Sequence, residues 1–578
     1  MLTRQYDAAL MTNSGLPGRT APTTVPVDAA PATVADLVRR RSEDDNPGLL
    51  FEDQRWTWRE VAAECRARAA LLEELRRPGP FHIGVLLENT PEHLFLIGGA
   101  ALAGATIVGI NPTRRGAELA RDIRHTDCQL VITSSDQATL LADLDLGIDD
   151  DRVLVSDDEG YAARAASLRD APFPEPAPGP EALLWLIFTS GSTGAPKAVR
   201  FSQARAVRVA VRSAFGPGDV LYCAMPLFHG HALNASVLPA LATGATLLLR
   251  RRFSASGFLP DVQRYGATFF STVGRALAFI LATPPSQVDR DHSLKYVLAP
   301  ESSAPDIQAF SERFGVPVIE GYGSSENAVI ILPVPGTPPG AMGQPLPGSE
   351  VGVVDPQTGE ECPRARFDGD GRLVNATECI GEIVGYNTVG QFEGYYRNPE
   401  ADAARTRNGW YWTGDLAYRD DAGFFWFAGR GGDWIRVDGE NFTPAPIERI
   451  LARMAGVTGA AVYAVPDPRT SDQVMATLEL EPGAEFDPDA FVAFLGAQRD
   501  LGTKWAPRFV RITPHIPLTG TAKVDKQPLR AQRWETTDPV WWRPERDGGY
   551  RRLTPADAAA LQAEFATNQR EHLLEAPR

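Results

Sequence analysis

Short apolar runs alternate with helix-patterned stretches along the chain up to about residue 330. The runs include His82-Ile83-Gly84-Val85-Leu86-Leu87, Leu130-Val131-Ile132-Thr133, Leu183-Leu184-Trp185-Leu186-Ile187-Phe188 and Ala245-Thr246-Leu247-Leu248-Leu249. This alternation predicts parallel sheets covered by helices. The segment Leu94 to Ile110 is apolar throughout except for Thr106, which puts it at the short edge of a membrane span. Thr90-Pro91-Glu92 is a helix start, with a hydroxyl N-cap, proline at N1 and an acid near the positive end. Gly98, Gly99 and Gly104 interrupt the run, and Thr106-Ile107-Val108 is β-branched. The reading is a buried helix followed by a strand, with no integral membrane segment.

From about 350 to 430 the texture changes to short strands separated by Gly/Asp turns, which predicts a β-rich subdomain. Tyr418-Arg419-Asp420-Asp421-Ala422-Gly423-Phe424-Phe425-Trp426-Phe427 has the pattern of a hairpin, so Asp420 and Asp421 are turn residues rather than a catalytic carboxylate pair. A second α/β texture follows Gly429-Arg430-Gly431-Gly432-Asp433. Adjacent glycines permit backbone angles closed to other residues, which allows a hinge at Gly432 or an ordinary tight turn. Pro172 to Pro180 is a stiff surface linker. The expected organisation is a disordered tail over 1–26, a large domain over 27–430 and a hinge at 431–433. A small mobile α/β domain follows over 434–578. The fold class is α/β, with stacked mixed sheets in the larger part.

Composition narrows the function classes. The chain has 578 residues, enough for roughly three to four folding units. Hydrophobic content is 43% and charged content 22%, an ordinary globular balance. A net charge of −16 argues against a nucleic-acid partner. The first residues lack the apolar core of a secretion signal. Five scattered cysteines form no CxxC pair, so neither a disulfide framework nor a zinc site is indicated, and a cytoplasmic setting is expected. Only five of the 57 basic residues are lysine: Lys197, Lys295, Lys504, Lys523 and Lys526. Where arginine serves almost everywhere, a retained lysine marks a site that wants a compact ammonium on a flexible stem.

Three segments carry chemistry. Thr189-Ser190-Gly191-Ser192-Thr193-Gly194-Ala195-Pro196-Lys197 follows a buried strand. Its hydroxyls and unobstructed backbone amides suit phosphate, although it is not a Walker A loop. In Glu320-Gly321-Tyr322-Gly323-Ser324-Ser325-Glu326, the tyrosine ring can lie against a purine. Ser325 can donate to a phosphate oxygen, and Glu326 is a hard ligand suited to Mg²⁺. In Tyr411-Trp412-Thr413-Gly414-Asp415, a carboxylate on a tight turn can accept both ribose hydroxyls, with Arg430 near enough in sequence to reach the same sugar. Pro517-Leu518-Thr519-Gly520-Thr521-Ala522-Lys523-Val524-Asp525-Lys526 places a mobile lysine near the C-terminus.

These segments, in this order, resemble the ANL superfamily of adenylate-forming enzymes over residues 35 to 540. Finer features resemble the fatty-acid transport protein branch and its actinobacterial acyl-CoA ligase relatives. They are the Gly432-Asp433 hinge, Gly439-Glu440-Asn441, Thr519 to Lys523 and the Asp538-Pro539-Val540-Trp541 tail. The resemblance implies ATP, Mg²⁺ and CoA. It makes Thr189, Ser190, Gly191, Ser192, Gly194 and Lys197 the phosphate loop, with Tyr322 on adenine, Ser325 at the α-phosphate, and Asp415 and Arg430 on ribose. Lys523, Glu326 and Thr193 are the implied catalytic residues, Glu326 holding the metal. The small domain is implied to turn about Gly432, withdrawing Lys523 and bringing Gly439, Glu440 and Asn441 to a CoA channel.

Phe228 and His229, within Pro226-Leu227-Phe228-His229, match the family's gate to the acyl pocket. Glu301, Ser302, Gly323 and Asn327 are implied to line the same pocket. Glu301-Ser302-Ser303 and Asn327 replace glycines common in relatives, and such side chains narrow or polarise the pocket. The expected activity is acyl-CoA synthesis from a fatty, steroid side-chain or aromatic acid. The alternative is a diazotase that activates nitrite for attack by an aryl amine. A non-catalytic ligand-binding protein conflicts with retention of Lys523, Glu326 and Asp415. The expected partner is a small-molecule acid, or nitrite plus an aryl amine, and a homodimer is left open.

Overall fold

A computed structural model describes residues 30–189, 197–300, 302, 304–369, 371–430, 435–437, 440–469, 472–498, 500–502, 504–519, 523–545 and 548–575. The chain gathers into two compact units. The first comprises Met1–Gly340 and Thr388–Gly409, and the second Ala341–Asn387 and Trp410–Arg578. The expected tail over 1–26 and hinge at 431–433 lie outside the described residues.

Two sheets organise the first unit. One runs Val153–Val155, Cys128–Thr133, His82–Leu86, Thr106–Gly109, Leu183–Thr189, Lys197–Ser202. Its strands are parallel until the last pair, which is antiparallel and sets Thr189 opposite Lys197. The other runs Val318–Ile319, Tyr296–Leu298, Phe269–Ser271, Val220–Cys223, Thr246–Leu249, Pro47–Phe51, Gln54–Thr57. It too is parallel except at its final pair. Both sheets therefore have the parallel, helix-covered character expected from alternating apolar runs. Tyr222, Phe258, Phe270, Phe310 and Phe314 build the aromatic core beneath the second sheet.

Helix Pro91–Ala103 begins where the sequence predicts. Thr90 accepts a hydrogen bond from the His93 amide at 3.4 Å, and Gly104 ends the helix in the left-handed region at φ 67°. Strand Thr106–Gly109 follows, fully buried. The expected interruption at Gly98 and Gly99 does not occur. The helix passes through both because they face helix Trp58–Glu74 at close range. A Cβ on Gly98 would overlap Cys65 Sγ, and one on Gly99 would stand 2.7 Å from Arg68 Cβ. Among the described residues, no helix is long and apolar enough to cross a membrane.

The second unit contains an antiparallel ladder of Val351–Val354, Gly381–Gly385, Trp410–Arg419 and Phe425–Arg430. The turn after Arg419 is the expected one. The Gly423 amide donates to the Asp420 carbonyl at 3.1 Å, Phe424 N donates to Asp420 Oδ1 at 2.9 Å, and Gly423 has φ 85°. A mixed sheet of Val457–Pro466, Asp472–Leu480, Phe509–Thr513, Val540–Trp542 and Arg551–Arg552 forms the C-terminal part. Ile435, Val437 and Phe442, from the hairpin Ile435–Val437/Glu440–Phe442, are buried in the same core as Ile447, Val474 and Phe491.

Candidate active site

Strand Leu183–Thr189 delivers the chain to the Ser/Thr/Gly loop, and strand Lys197–Ser202 takes it back. Ser190, Gly191, Ser192, Thr193 and Gly194 lie outside the described residues. The two ends of the loop, Thr189 and Lys197, are paired across the sheet. Burial and then the nearby Arg405 guanidinium push the Lys197 ammonium below its ordinary range, and the Glu326 carboxylate opposes them.

Glu326 is only 5% exposed. Its Oε1 accepts a hydrogen bond from the Tyr395 hydroxyl at 2.6 Å, and that hydroxyl accepts one from Arg405 Nε at 3.2 Å. Among the described residues, Oε2 accepts no hydrogen bond and no Lys or Arg lies within 4 Å of the carboxylate. A buried carboxylate without a cation is costly. One open oxygen of a hard ligand fits Mg²⁺, which takes one or two carboxylates and completes its shell with water and substrate phosphate. Among the described residues, no group of three or more His, Cys, Asp or Glu could hold a metal by itself.

The backbone around Glu326 is fixed from two sides. Arg205, buried on helix Gln203–Ala210, donates from Nη2 to the Ser325 carbonyl at 2.8 Å and from Nη1 to the Arg200 carbonyl at 2.9 Å. The Asn327 amide closes a turn on the Ser324 carbonyl at 3.0 Å. Asn327 has φ 54°. That accounts for glycine being usual there, since asparagine is among the few other residues that tolerate the left-handed region. Tyr322 is buried on strand Tyr322–Gly323, facing Ile331 across an antiparallel pair. A Cβ added to Gly323 would meet nothing within 4 Å, so this position opens onto unfilled space.

The gate segment sits beside these residues. A Cβ on Gly230 would stand 3.5 Å from Ser325 Oγ, which brings the start of helix Gly230–Ala232 next to the expected α-phosphate contact. His229 occupies the N-cap of that helix, which continues as a π-helical turn, Leu233–Val237. Such turns gather at functional sites. Phe228 lies against strand Thr106–Gly109, where a Cβ on Gly109 would come within 2.9 Å of the Phe228 carbonyl oxygen. Buried Asn89 clamps the approach. Its Nδ2 donates to the Met225 carbonyl at 2.9 Å, and its Oδ1 accepts from the Leu227 amide at 2.8 Å. Ser302 turns its hydroxyl to the Ala299 carbonyl at 2.7 Å, and Glu301 lies outside the described residues.

Asp415, Arg430 and Lys523 belong to the second unit. Asp415 and Arg430 are cross-strand partners with Nε and Oδ1 4.0 Å apart. Gly414, at φ 74°, donates its amide to Glu382 Oε1 at 2.7 Å, and the Asp415 amide donates to Thr413 Oγ1 at 3.1 Å. The tight turn expected before Asp415 is instead an irregularity inside strand Trp410–Arg419, where left-handed Gly414 shifts the register against Gly381–Gly385, and Arg430 stands opposite Asp415 on the neighbouring strand. Lys523 closes a short loop: the Thr519 amide donates to its carbonyl at 2.7 Å, and its own amide donates to Thr519 Oγ1 at 3.2 Å. The mobile role read for its neighbour does not extend to Lys526, which is ion-paired with Glu448 at 2.8 Å at the start of helix Lys526–Gln532. Gly432 and Gly439 lie outside the described residues, as do the side chains of Glu440 and Asn441.

Asn89, Arg205, Tyr395 and Arg405 escape the motif reading. Asn89, Arg205 and Tyr395 act on partners far away in the sequence, and Arg405 acts through Tyr395, so no local spacing advertises them.

Similarity to known proteins agrees with this geometry. The AMP-binding enzyme family matches residues 38–396, and the AMP-binding enzyme C-terminal domain matches 446–523. The chain is 51% identical to a steroid-22-oyl-CoA synthetase of Rhodococcus jostii (strain RHA1), covering 94% of this chain and 99% of that one. It is 45% identical to a medium/long-chain-fatty-acid–CoA ligase of Mycobacterium tuberculosis (strain ATCC 25618 / H37Rv), covering 88% and 98%. Among solved structures, it shares its fold with an anthranilate CoA ligase in complex with anthranoyl-AMP, at TM-score 0.75 and 22% identity over 87% of this chain and 98% of that one. The chain belongs to the AMP-binding enzyme family of adenylate-forming proteins, and it is an AMP-forming ligase.

Proposed function

We propose that this ligase uses ATP to activate the carboxylate of a steroid side chain or fatty acid and passes the acyl group to CoA. The observation that carries the reading is the buried Glu326 carboxylate, one oxygen open, beside Lys197 at the exit of the Ser/Thr/Gly loop. The 51%-identical relative supports a steroid acid as the first choice. Asn327 supports it as well, because its backbone angle explains the residue without invoking a polar pocket.

In the first half-reaction a carboxylate oxygen attacks the α-phosphorus of ATP, the bond to the β-phosphate bridging oxygen breaks, and pyrophosphate leaves. Tyr322 carries adenine, Asp415 and Arg430 hold ribose, and Thr189 to Lys197 grips the departing phosphates. Lys523 bridges the acid and the α-phosphate, lowering the barrier by meeting charge that develops in the transition state. A magnesium ion on Glu326 would neutralise the phosphoryl oxygens. In the second half-reaction the small domain pivots at Gly432 and withdraws Lys523, and Gly439, Glu440 and Asn441 line the thiol path. The CoA thiolate attacks the acyl carbon, the acyl–phosphate C–O bond breaks, and AMP leaves. The first nucleophile, a carboxylate oxygen, attacks phosphorus and the second, a thiolate, attacks the acyl carbon, and a moving domain supplies each step with its own surroundings. ATP and CoA as substrates fit a cytoplasmic enzyme.

The test is pyrophosphate release by purified protein from a panel of steroid side-chain, medium- and long-chain fatty and aromatic acids, plus nitrite, each with and without CoA. A thioester formed only with CoA, fastest on a steroid acid, is the expected result. A CoA-independent diazo product from nitrite and an aryl amine would overturn it, and so would no pyrophosphate from any acid.

A further inference from the structure

We propose that Tyr395 and Arg405 are positioning residues that aim Glu326 at the metal. This rests on the reading above that Glu326 is the metal's protein ligand. Tyr395 is 3% exposed and packs among Val199, Ala401 and Phe392. That apolar setting would accept phenylalanine equally well. Its hydroxyl has two partners, Glu326 Oε1 and Arg405 Nε, so the oxygen serves the carboxylate rather than the packing.

The element behind the pair is built to hold it. Helix Pro399–Arg405 presents Asp402 and Arg405 one turn apart. Asp402 Oδ1 accepts from the Tyr395 amide at 2.7 Å, while Arg405 grips the Tyr395 hydroxyl. Tyr395 also bridges to Val199, two residues beyond Lys197. One carboxylate oxygen is thereby locked, and the other is left for a cation. A chain from guanidinium through phenol to carboxylate polarises each link and resists rotation of the last. Partners of this kind behind a ligand typically change metal affinity by about 10- to 100-fold.

The experiment titrates magnesium against binding of α,β-methylene-ATP by calorimetry, and follows manganese with the same nucleotide by electron paramagnetic resonance. It uses the full-length wild type, Tyr395→Phe, Arg405→Ala and Arg405→Lys. Tyr395→Phe is expected to raise the half-saturating magnesium concentration by roughly 10-fold or more and to broaden the manganese signal. Magnesium-free nucleotide binding and the KM for the acid should hold within about twofold, and kcat should recover at high magnesium. Arg405→Ala should act in the same direction and Arg405→Lys less so. Unchanged magnesium dependence in Tyr395→Phe overturns the proposal, as does an equal loss at every magnesium concentration. If Glu326→Gln also leaves magnesium dependence untouched, the metal-ligand reading of Glu326 fails first.

Discussion

At Gly109 a single methyl group tests the proposed gate to the acid. A Cβ there would press within 2.9 Å of the Phe228 backbone oxygen and 3.1 Å of Phe228 Cα, so Phe228, in the segment expected to gate the acid, must shift. Gly109→Ala is expected to raise the KM for the acid by about 10-fold while the KM for ATP changes less than twofold; equal changes in both would detach the segment from the acid. Lys523→Ala should slow adenylate formation by about 100- to 1,000-fold and spare thiol attack on a preformed adenylate, measured by supplying synthetic acyl-AMP. Loss of both steps together would contradict its assignment to the first half-reaction. Candidates of this type are proposed from chemistry that is local in the sequence: a rare lysine, a hydroxyl-rich loop, a glutamate after Gly-Tyr-Gly. Tyr395 is not legible in this way, because a tyrosine after glycine is ordinary until the fold brings Glu326 within 2.6 Å.

Helix Pro91–Ala103 shows both the reach and the limit of pattern reading at the scale of an element. Its start follows from Thr90 and Pro91, and its end from Gly104. The two internal glycines mislead, since their cause is the approach of helix Trp58–Glu74, which no local pattern reports. The same helix carries His93, fully buried, its Nε2 without a hydrogen-bond partner among the described residues. Burial depresses its pKa from 6.5 to about 4. The unfolded chain therefore binds the proton first as pH falls, and the stability held above pH 6.5 is lost on the way down to about 4. The slope from this one group reaches about 1.4 kcal/mol per pH unit. Urea unfolding of His93→Phe from pH 7 to 4 should show a shallower decline than wild type; parallel curves would mean that His93 is protonated alike in both states.

For the whole molecule, the α/β class and the β-rich stretch after residue 350 were visible in the texture. The strand order was not. Pro47–Phe51 pairs with Thr246–Leu249, about 200 residues on, and residues 388–409 return to the first unit after the chain has begun the second. Pairings of that range are set by which edges and faces remain uncovered, a property of the assembled sheets. The proposed pivot belongs to this scale. Gly432→Pro removes backbone freedom and is expected to slow thioester formation at least 10-fold more than pyrophosphate release. A smaller effect on the thiol step would place the pivot elsewhere.

The central claim is a two-step transfer through an enzyme-held adenylate. A single-turnover experiment with a steroid side-chain acid and ATP, quenched before and after CoA is added, reads it directly by mass spectrometry. Acyl-AMP and pyrophosphate in the absence of CoA, converted mole for mole to acyl-CoA and AMP once it is supplied, is the predicted result. Acyl-CoA formed with no adenylate at any time point, or an adenylate that CoA leaves unchanged, would contradict it.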